Sequence, residues 1–208
     1  MSSDGHPLLR GADSRIERGK PVNPGDLVAF RTRGFYAGVI KAGQRIGELG
    51  FWRYWFYAIR AIREGWPDSL WWCEYTHIAW VENVMSAGGA IIVQAVKRID
   101  RVLLSTYEQA GISYITLPYP WPDPHLQAGI VNASVMIGKR YGLLTIFFDG
   151  LNYITPKWIR ITGERKGRMN CAVLGARIWE HMGYSFPRDI DTWLITPGWL
   201  VKYFYKED

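Results

Sequence analysis

Two spacings of hydrophobic residues alternate along the chain and together predict a mixed fold. Short apolar runs bounded by turn residues are typical of strands. They fall at 27–30, 75–81, 90–96, 101–104 and 113–117. Apolar positions that recur every three or four residues predict helices at 44–65, at 125–138 and from 171 to a stop at 183. The proline-rich run 118–124 is predicted to be a loop, because proline suits neither a helix interior nor a central strand.

These elements indicate an α+β fold in one domain. The chain has 208 residues, which is enough for one well-buried core. Residues 1–20 are polar and rich in charge and glycine, and they predict a flexible N-terminal arm. We therefore expect a single domain over residues 21–208, with an antiparallel sheet or partial barrel packed against the helix that begins at Cys171.

The segment of about 44–72 stands apart because aromatic residues and arginines alternate in it at helical spacing. Its arginines are Arg53, Arg60 and Arg63, and its apolar residues recur between 51 and 62. Such a helix suits a lipid surface, where arginines meet phosphates. The favoured alternative is a helix that packs in the core or against another subunit, so we expect protein partners to bind through residues 51–66.

Charge and composition limit the classes of partner. The formal net charge is +6, which favours an anionic partner. No lysine and arginine block is dense enough for a nucleic-acid tract, so we expect no nucleic-acid partner. No apolar run is long enough for a transmembrane segment, and the N-terminus has no signal-peptide core. We expect a protein that is cytoplasmic when made.

The two cysteines, Cys73 and Cys171, are too few for a disulfide framework or a zinc site. A single bridge between them is one alternative, although it would consume the candidate nucleophile described below. We expect neither a metal nor a cofactor.

Cys171 occupies a helix start, which is a position that activates a thiol. Asn170 before it is a good N-cap residue, and the first amides of a helix have no intrahelical acceptor. These amides and the helix dipole favour thiolate, the nucleophilic form. The amide of Ala172 is a candidate donor to an oxyanion. The alternative is a buried cysteine that packs as a small hydrophobic residue.

A candidate base and its orienting partner lie on the two strands before this helix. If 75–96 is a β-hairpin with its turn centred between Met85 and Ser86, His77 and Gln94 lie directly opposite each other. Gln94 would then bond one ring nitrogen of His77 and leave the other to face Cys171. His125 and His181 are the competing bases, but one follows the proline loop and the other is almost three turns from the thiol.

The order of short motifs resembles the circularly permuted branch of the NlpC-type, papain-like cysteine peptidases. That branch includes the YiiX-like amidases and the relatives of lecithin:retinol acyltransferase. The motifs are Pro-Gly-Asp-Leu at 24–27, Thr-His-Ile-Ala-Trp-Val at 76–81, Ile-Ile-Val-Gln-Ala at 91–95, Gly-Lys-Arg-Tyr at 138–141, Asn-Cys at 170–171 and a closing Pro-Gly turn at 197–198. Ala172 after the cysteine and Gly142 after Tyr141 depart from the family pattern, which puts substrate specificity in doubt.

The resemblance implies a permuted papain-like fold and acyl transfer through a thioester. Cys171 would be the nucleophile, His77 the base and Gln94 the orienting residue, with Asn170, Ala172 and Tyr141 near the oxyanion or substrate. Cell-wall peptides are the usual substrates of the wider superfamily, and lipid acyl groups are those of the acyltransferase relatives. Delivery by a phage particle would bring such an enzyme to a cell wall. The alternative is a virion or tail structural protein that keeps the fold without catalysis.

Overall fold

The computed structural model describes residues 21–86, 88–121, 125–140, 169–188, 190, 192 and 195–205. Its centre is a five-stranded antiparallel sheet in the order β4-β3-β2-β1-β5. The strands are β1 Leu27–Phe30, β2 His77–Val84, β3 Ala90–Ala95, β4 Ile99–Leu103 and β5 Tyr114–Leu117. Together with the helices this confirms the mixed α+β class and the antiparallel sheet. The predicted arm over residues 1–20 lies outside the described residues.

Among the described residues, three helices lie between β1 and β2 in the chain, one lies between β4 and β5, and three follow β5. They are α1 Phe35–Leu49, α2 Phe51–Glu64, a 3₁₀-helix Asp68–Glu74, α3 Leu104–Gln109, α4 Leu126–Met136, α5 Cys171–His181 and α6 Pro197–Phe204. The prediction of one helix over 44–65 is wrong, because Gly50 has φ 78° and separates two helices. The predicted closing turn at Pro197 is also wrong: Thr196 caps the start of α6 and accepts a bond from the Trp199 amide.

The two faces of the sheet belong to two separate apolar clusters. Alternate residues of β1 and β2, including Leu27, Ile78 and Trp80, pack with α5 in the larger cluster. The intervening residues, including Phe30 and Ala79, form the smaller cluster on the other face. This is the period-two alternation expected of a sheet buried on both sides.

Helix α5 lies very close to the sheet at Gly175. A methyl group at that position would be 3.0 Å from Leu27 Cδ2 and 3.1 Å from Ile78 Cγ2. Nearer the end of the helix, the Trp179 indole donates to the carbonyl of Gly25 at 2.8 Å. These contacts orient α5 along the sheet, with Cys171 toward the end where β2 begins.

A buried glutamine helps to join the α1–α2 hairpin to the rest of the molecule. The Gln44 amide donates to the carbonyls of Cys73 and Tyr75 at 2.9 and 3.1 Å. Its oxygen accepts from the Gly198 amide at 2.6 Å. The 3₁₀-helix, the entry to β2 and the start of α6 are therefore held at one point.

Helix α2 does not pack in the core. None of its residues is buried, and its largest apolar side chains face solvent. Of the two expected kinds of packing, in the core or against another subunit, the first is therefore wrong for α2. Its inner side makes limited contacts, such as the stacking of Tyr54 on Trp66 with ring centroids 5.5 Å apart.

Candidate active site

The register of the β2–β3 hairpin differs from the predicted one. Gln94 is opposite Ala79, whereas the sequence placed it opposite His77. The turn is centred later than predicted: Val84 pairs with Ala90, and the Met85 amide bonds the Gly89 carbonyl at 2.7 Å. The predicted direct pairing is therefore wrong.

A β-bulge keeps the two side chains on one face despite this change. Pairing near the turn places Asn83 opposite Ile91, and continuing it would bring Gln94 opposite Trp80, on the other face of the sheet. The register shifts between Val81 and Asn83, which inserts one extra residue. The shift returns Gln94 to the face that carries His77.

His77 and Gln94 form a buried hydrogen bond. His77 Nε2 lies 3.1 Å from Gln94 Oε1, and each side chain is 7% exposed. An amide oxygen has no hydrogen to donate, so Nε2 carries the proton and Nδ1 is the basic nitrogen. Burial lowers the His77 pKa to about 4, and the bond from Gln94 opposes this only in part. His77 is therefore neutral at pH 7.

Two aromatic residues that the sequence analysis missed enclose this pair. Phe30 stacks on His77 with ring centroids 5.6 Å apart, and Tyr107 stacks on Phe30 at 4.2 Å. The Tyr107 hydroxyl also donates to Gln94 Oε1. Gln94 Oε1 therefore accepts two hydrogen bonds, which fixes the orientation of the Gln94 side chain. Only the strand pattern at 27–30 hinted at Phe30, and no motif marks Tyr107.

Cys171 is the first residue of α5, as predicted. The Asn170 side chain caps the helix and accepts from the Val173 amide at 2.8 Å, while its carbonyl accepts from Leu174 at 3.0 Å. The helix itself provides no acceptor for the amide of Ala172, the second residue. That amide is the candidate oxyanion donor.

Cys171 and His77 lie on opposite faces of the sheet, near the end where β2 begins. Cys171 belongs to the larger cluster beneath α5 and is 2% exposed, whereas His77 stacks in the smaller cluster. Tyr107 interacts with both groups: its hydroxyl bonds Gln94, the partner of His77, and the charge of Cys171 acts on its pKa. Burial and then the negative charge of the Cys171 thiolate raise the Tyr107 pKa to about 12. The thiol therefore lies within electrostatic range of the hydroxyl that bonds Gln94.

The other candidate residues lie elsewhere in the fold or outside the described residues. Tyr141 lies outside the described residues. The competing base His181 is at the far end of α5, and His125 lies beside Gly183 in the same region. Cys73 is fully buried, and burial raises its pKa to about 12. In the described part of the chain the two cysteines are separate thiols with no disulfide.

The described residues lack two further features, a metal-binding cluster and a membrane-spanning helix. No group of three or more histidine, cysteine, aspartate and glutamate side chains there could hold a metal ion. None of the described helices has both the length and the apolar character that crossing a bilayer requires.

Comparisons with known proteins found no family model, curated protein or solved structure that matches this chain. The resemblance to permuted papain-like peptidases thus depends on the short motifs, on the bond between His77 and Gln94, and on the position of Cys171 at a helix start.

Proposed function

We propose that the chain is a cysteine hydrolase with a permuted papain-like fold that cleaves amide bonds by acyl transfer. One observation carries this proposal: the buried His77, at the start of a strand, has its Nε2 proton fixed by Gln94. The Tyr107 hydroxyl that also bonds Gln94 lies within electrostatic range of the Cys171 thiol at a helix start. A histidine held this way, with Nδ1 basic, is what a thiol needs to become a nucleophile. His77 is neutral at pH 7, so Nδ1 can accept the thiol proton, and its pKa of about 4 makes it a weaker base than a free imidazole.

The residues would act in two half-reactions. His77 Nδ1 takes the thiol proton as Cys171 Sγ bonds to the carbonyl carbon, and the Ala172 amide donates to the oxyanion. The C–N bond then breaks, and His77 returns its proton to the leaving amine. Water attacks the thioester with His77 again as base, which releases the acid and restores the thiol. Gln94 acts as the positioning residue throughout.

The substrate class we favour is an amide bond of bacterial cell-wall peptide, reached on a phage particle. A second candidate function is a virion or tail protein that keeps the fold without catalysis. The burial of Cys171, at 2% exposure, favours this second candidate, because a nucleophile must meet its substrate. Lipid acyl hydrolysis is a third alternative, which the exposed apolar side of α2 favours.

Alkylation of the native protein tests the thiol. We expect iodoacetamide at neutral pH to modify Cys171 and to spare Cys73, whose pKa is about 12. H77A should slow the modification of Cys171 by about tenfold or more, because general-base assistance typically contributes at least that much. Tryptic mass spectrometry identifies the modified cysteine, and H125A is the matched control with an unchanged rate.

Product analysis then tests the reaction. Purified peptidoglycan and phospholipid vesicles are incubated with wild type and with C171A, and released fragments are read by mass spectrometry. Cys171-dependent peptide fragments support the proposed substrate, and released fatty acid supports lipid hydrolysis. An inert Cys171, with H77A indistinguishable from wild type, would favour the non-catalytic protein.

A further inference from the structure

Helix α2 turns its apolar side away from the protein. Residues at helical spacing of three and four share this outer side, which we call the aromatic face. Its members are Phe51, Trp52, Trp55, Phe56, Ile59 and Ile62. Trp52 is 83% exposed and Ile62 is 79% exposed. A monomeric protein rarely exposes so much contiguous apolar surface, so the aromatic face marks a binding surface.

Arginines lie beside the aromatic face on the same helix. Arg53, Arg60 and Arg63 are exposed, and Arg60 pairs with Glu64 one turn later. With three arginines and one glutamate, α2 carries a net charge of +2. The whole chain carries +6. A partner that complements this helix is thus apolar where it meets the aromatic face and anionic where it meets the arginines.

The charge beside the aromatic face argues against a second copy of the chain as its occupant. If two copies paired through this face, the arginines of each copy would lie near those of the other, because Arg53 and Arg63 border the face on α2. Two helices of charge +2, on chains of charge +6, would then repel each other. An anionic lipid interface attracts the same arginines, and tryptophan, phenylalanine and arginine are the residues that favour insertion of one helix side.

We propose that α2 docks on an anionic lipid surface, with the aromatic face in the interface and Arg53 and Arg63 against lipid phosphates. The helix lies in the plane of the bilayer and does not cross it. Gln44 ties α1 to the entry of β2, so docking holds the sheet close to the bilayer. This docking is independent of whether Cys171 is catalytic.

Vesicle co-sedimentation of the full chain tests the docking. We expect binding to vesicles of phosphatidylcholine with phosphatidylglycerol, and weaker binding to phosphatidylcholine alone. W52S/I59S should weaken binding by at least about tenfold, because each side chain buries a large apolar surface in the lipid. R53E/R63E should weaken it by at least about fivefold at low salt, and added salt should reduce the wild-type affinity.

Matched variants elsewhere on the surface provide the controls. V131S/V135S removes two exposed apolar side chains from α4, and K97E/R98E reverses two exposed charges, so both should bind vesicles like wild type. The changed side chains of α2 are exposed, so thermal unfolding should be unaffected. Equal binding to both kinds of vesicle, or no binding to either, would overturn the proposal. A wild-type dimer that W52S/I59S converts to monomer, without vesicle binding, would assign the face to a second copy.

Discussion

His77 is a buried group whose neutral state is part of the fold. It stacks on Phe30, bonds Gln94 and has a pKa of about 4, against an ordinary value near 6.5. In the unfolded chain the same imidazole gains its proton below pH 6.5. Between pH 6.5 and 4, therefore, unfolding takes up a proton that the folded protein does not hold. The free energy of unfolding must then decrease as the pH is lowered through this range.

We expect this loss to reach about 3 kcal/mol for wild type as the pH falls from 6.5 to 4. The H77Q variant keeps a polar side chain of similar size but cannot titrate, so it should lack this component. Urea denaturation of both proteins across that range measures the difference. Asp26 and the other carboxyl groups are common to both proteins and cancel. Parallel profiles would show that His77 is exposed or charged in the folded protein.

At the scale of elements, local patterns predicted the strands far better than their pairing. The apolar runs at 27–30 and 90–96 depend on neighbouring residues only, and both strands formed where expected, with β3 one residue shorter. The pairing of His77 with Gln94 depended on a bulge between Val81 and Asn83, which no local pattern indicates. The chosen face was right, but the register was wrong by two residues.

The hydrophobic pattern also failed to predict helices that are short or contain glycine. The first half of α1 contains Gly38 and Gly43, which lower its helix propensity, so the pattern began only at Gln44. Helix α3 has six residues, too few to show helical periodicity, and it delivers Tyr107 to the site. Contacts distant in sequence stabilise both helices, and a local pattern cannot report such contacts.

The same substitution at two helical glycines should have opposite effects. G175A adds a methyl group about 3 Å from Leu27 and Ile78, so overpacking should exceed the gain in helix propensity and destabilise the protein by about 1 kcal/mol. G43A places its methyl group where no atom lies within 4 Å, and should stabilise by up to about 1 kcal/mol. Urea denaturation gives both values. A stabilising G175A would mean that α5 lies farther from the sheet.

At the scale of the molecule, the α1–α2 hairpin and the sheet are joined where few apolar contacts cross. Gln44 supplies both a donor and an acceptor there, and it satisfies backbone groups from two separate segments. Salt bridges from Lys41 and Arg45 to Glu74 reinforce the same junction. The position of the aromatic face relative to the candidate active site thus depends on a small polar junction.

Q44A should weaken this junction, because it leaves the carbonyls of Cys73 and Tyr75 and the amide of Gly198 without their partner. Each buried backbone group that loses its bond costs about 1–3 kcal/mol, so we expect a loss of about 3 kcal/mol or more. Q127A on the exposed side of α4 is the control and should change stability by less than about 0.5 kcal/mol. Local opening should also make Cys73 reactive to iodoacetamide in native Q44A, whereas we expect it to be unreactive in wild type. If Cys73 stays protected and Q44A is as stable as Q127A, the salt bridges to Glu74 hold the hairpin without Gln44.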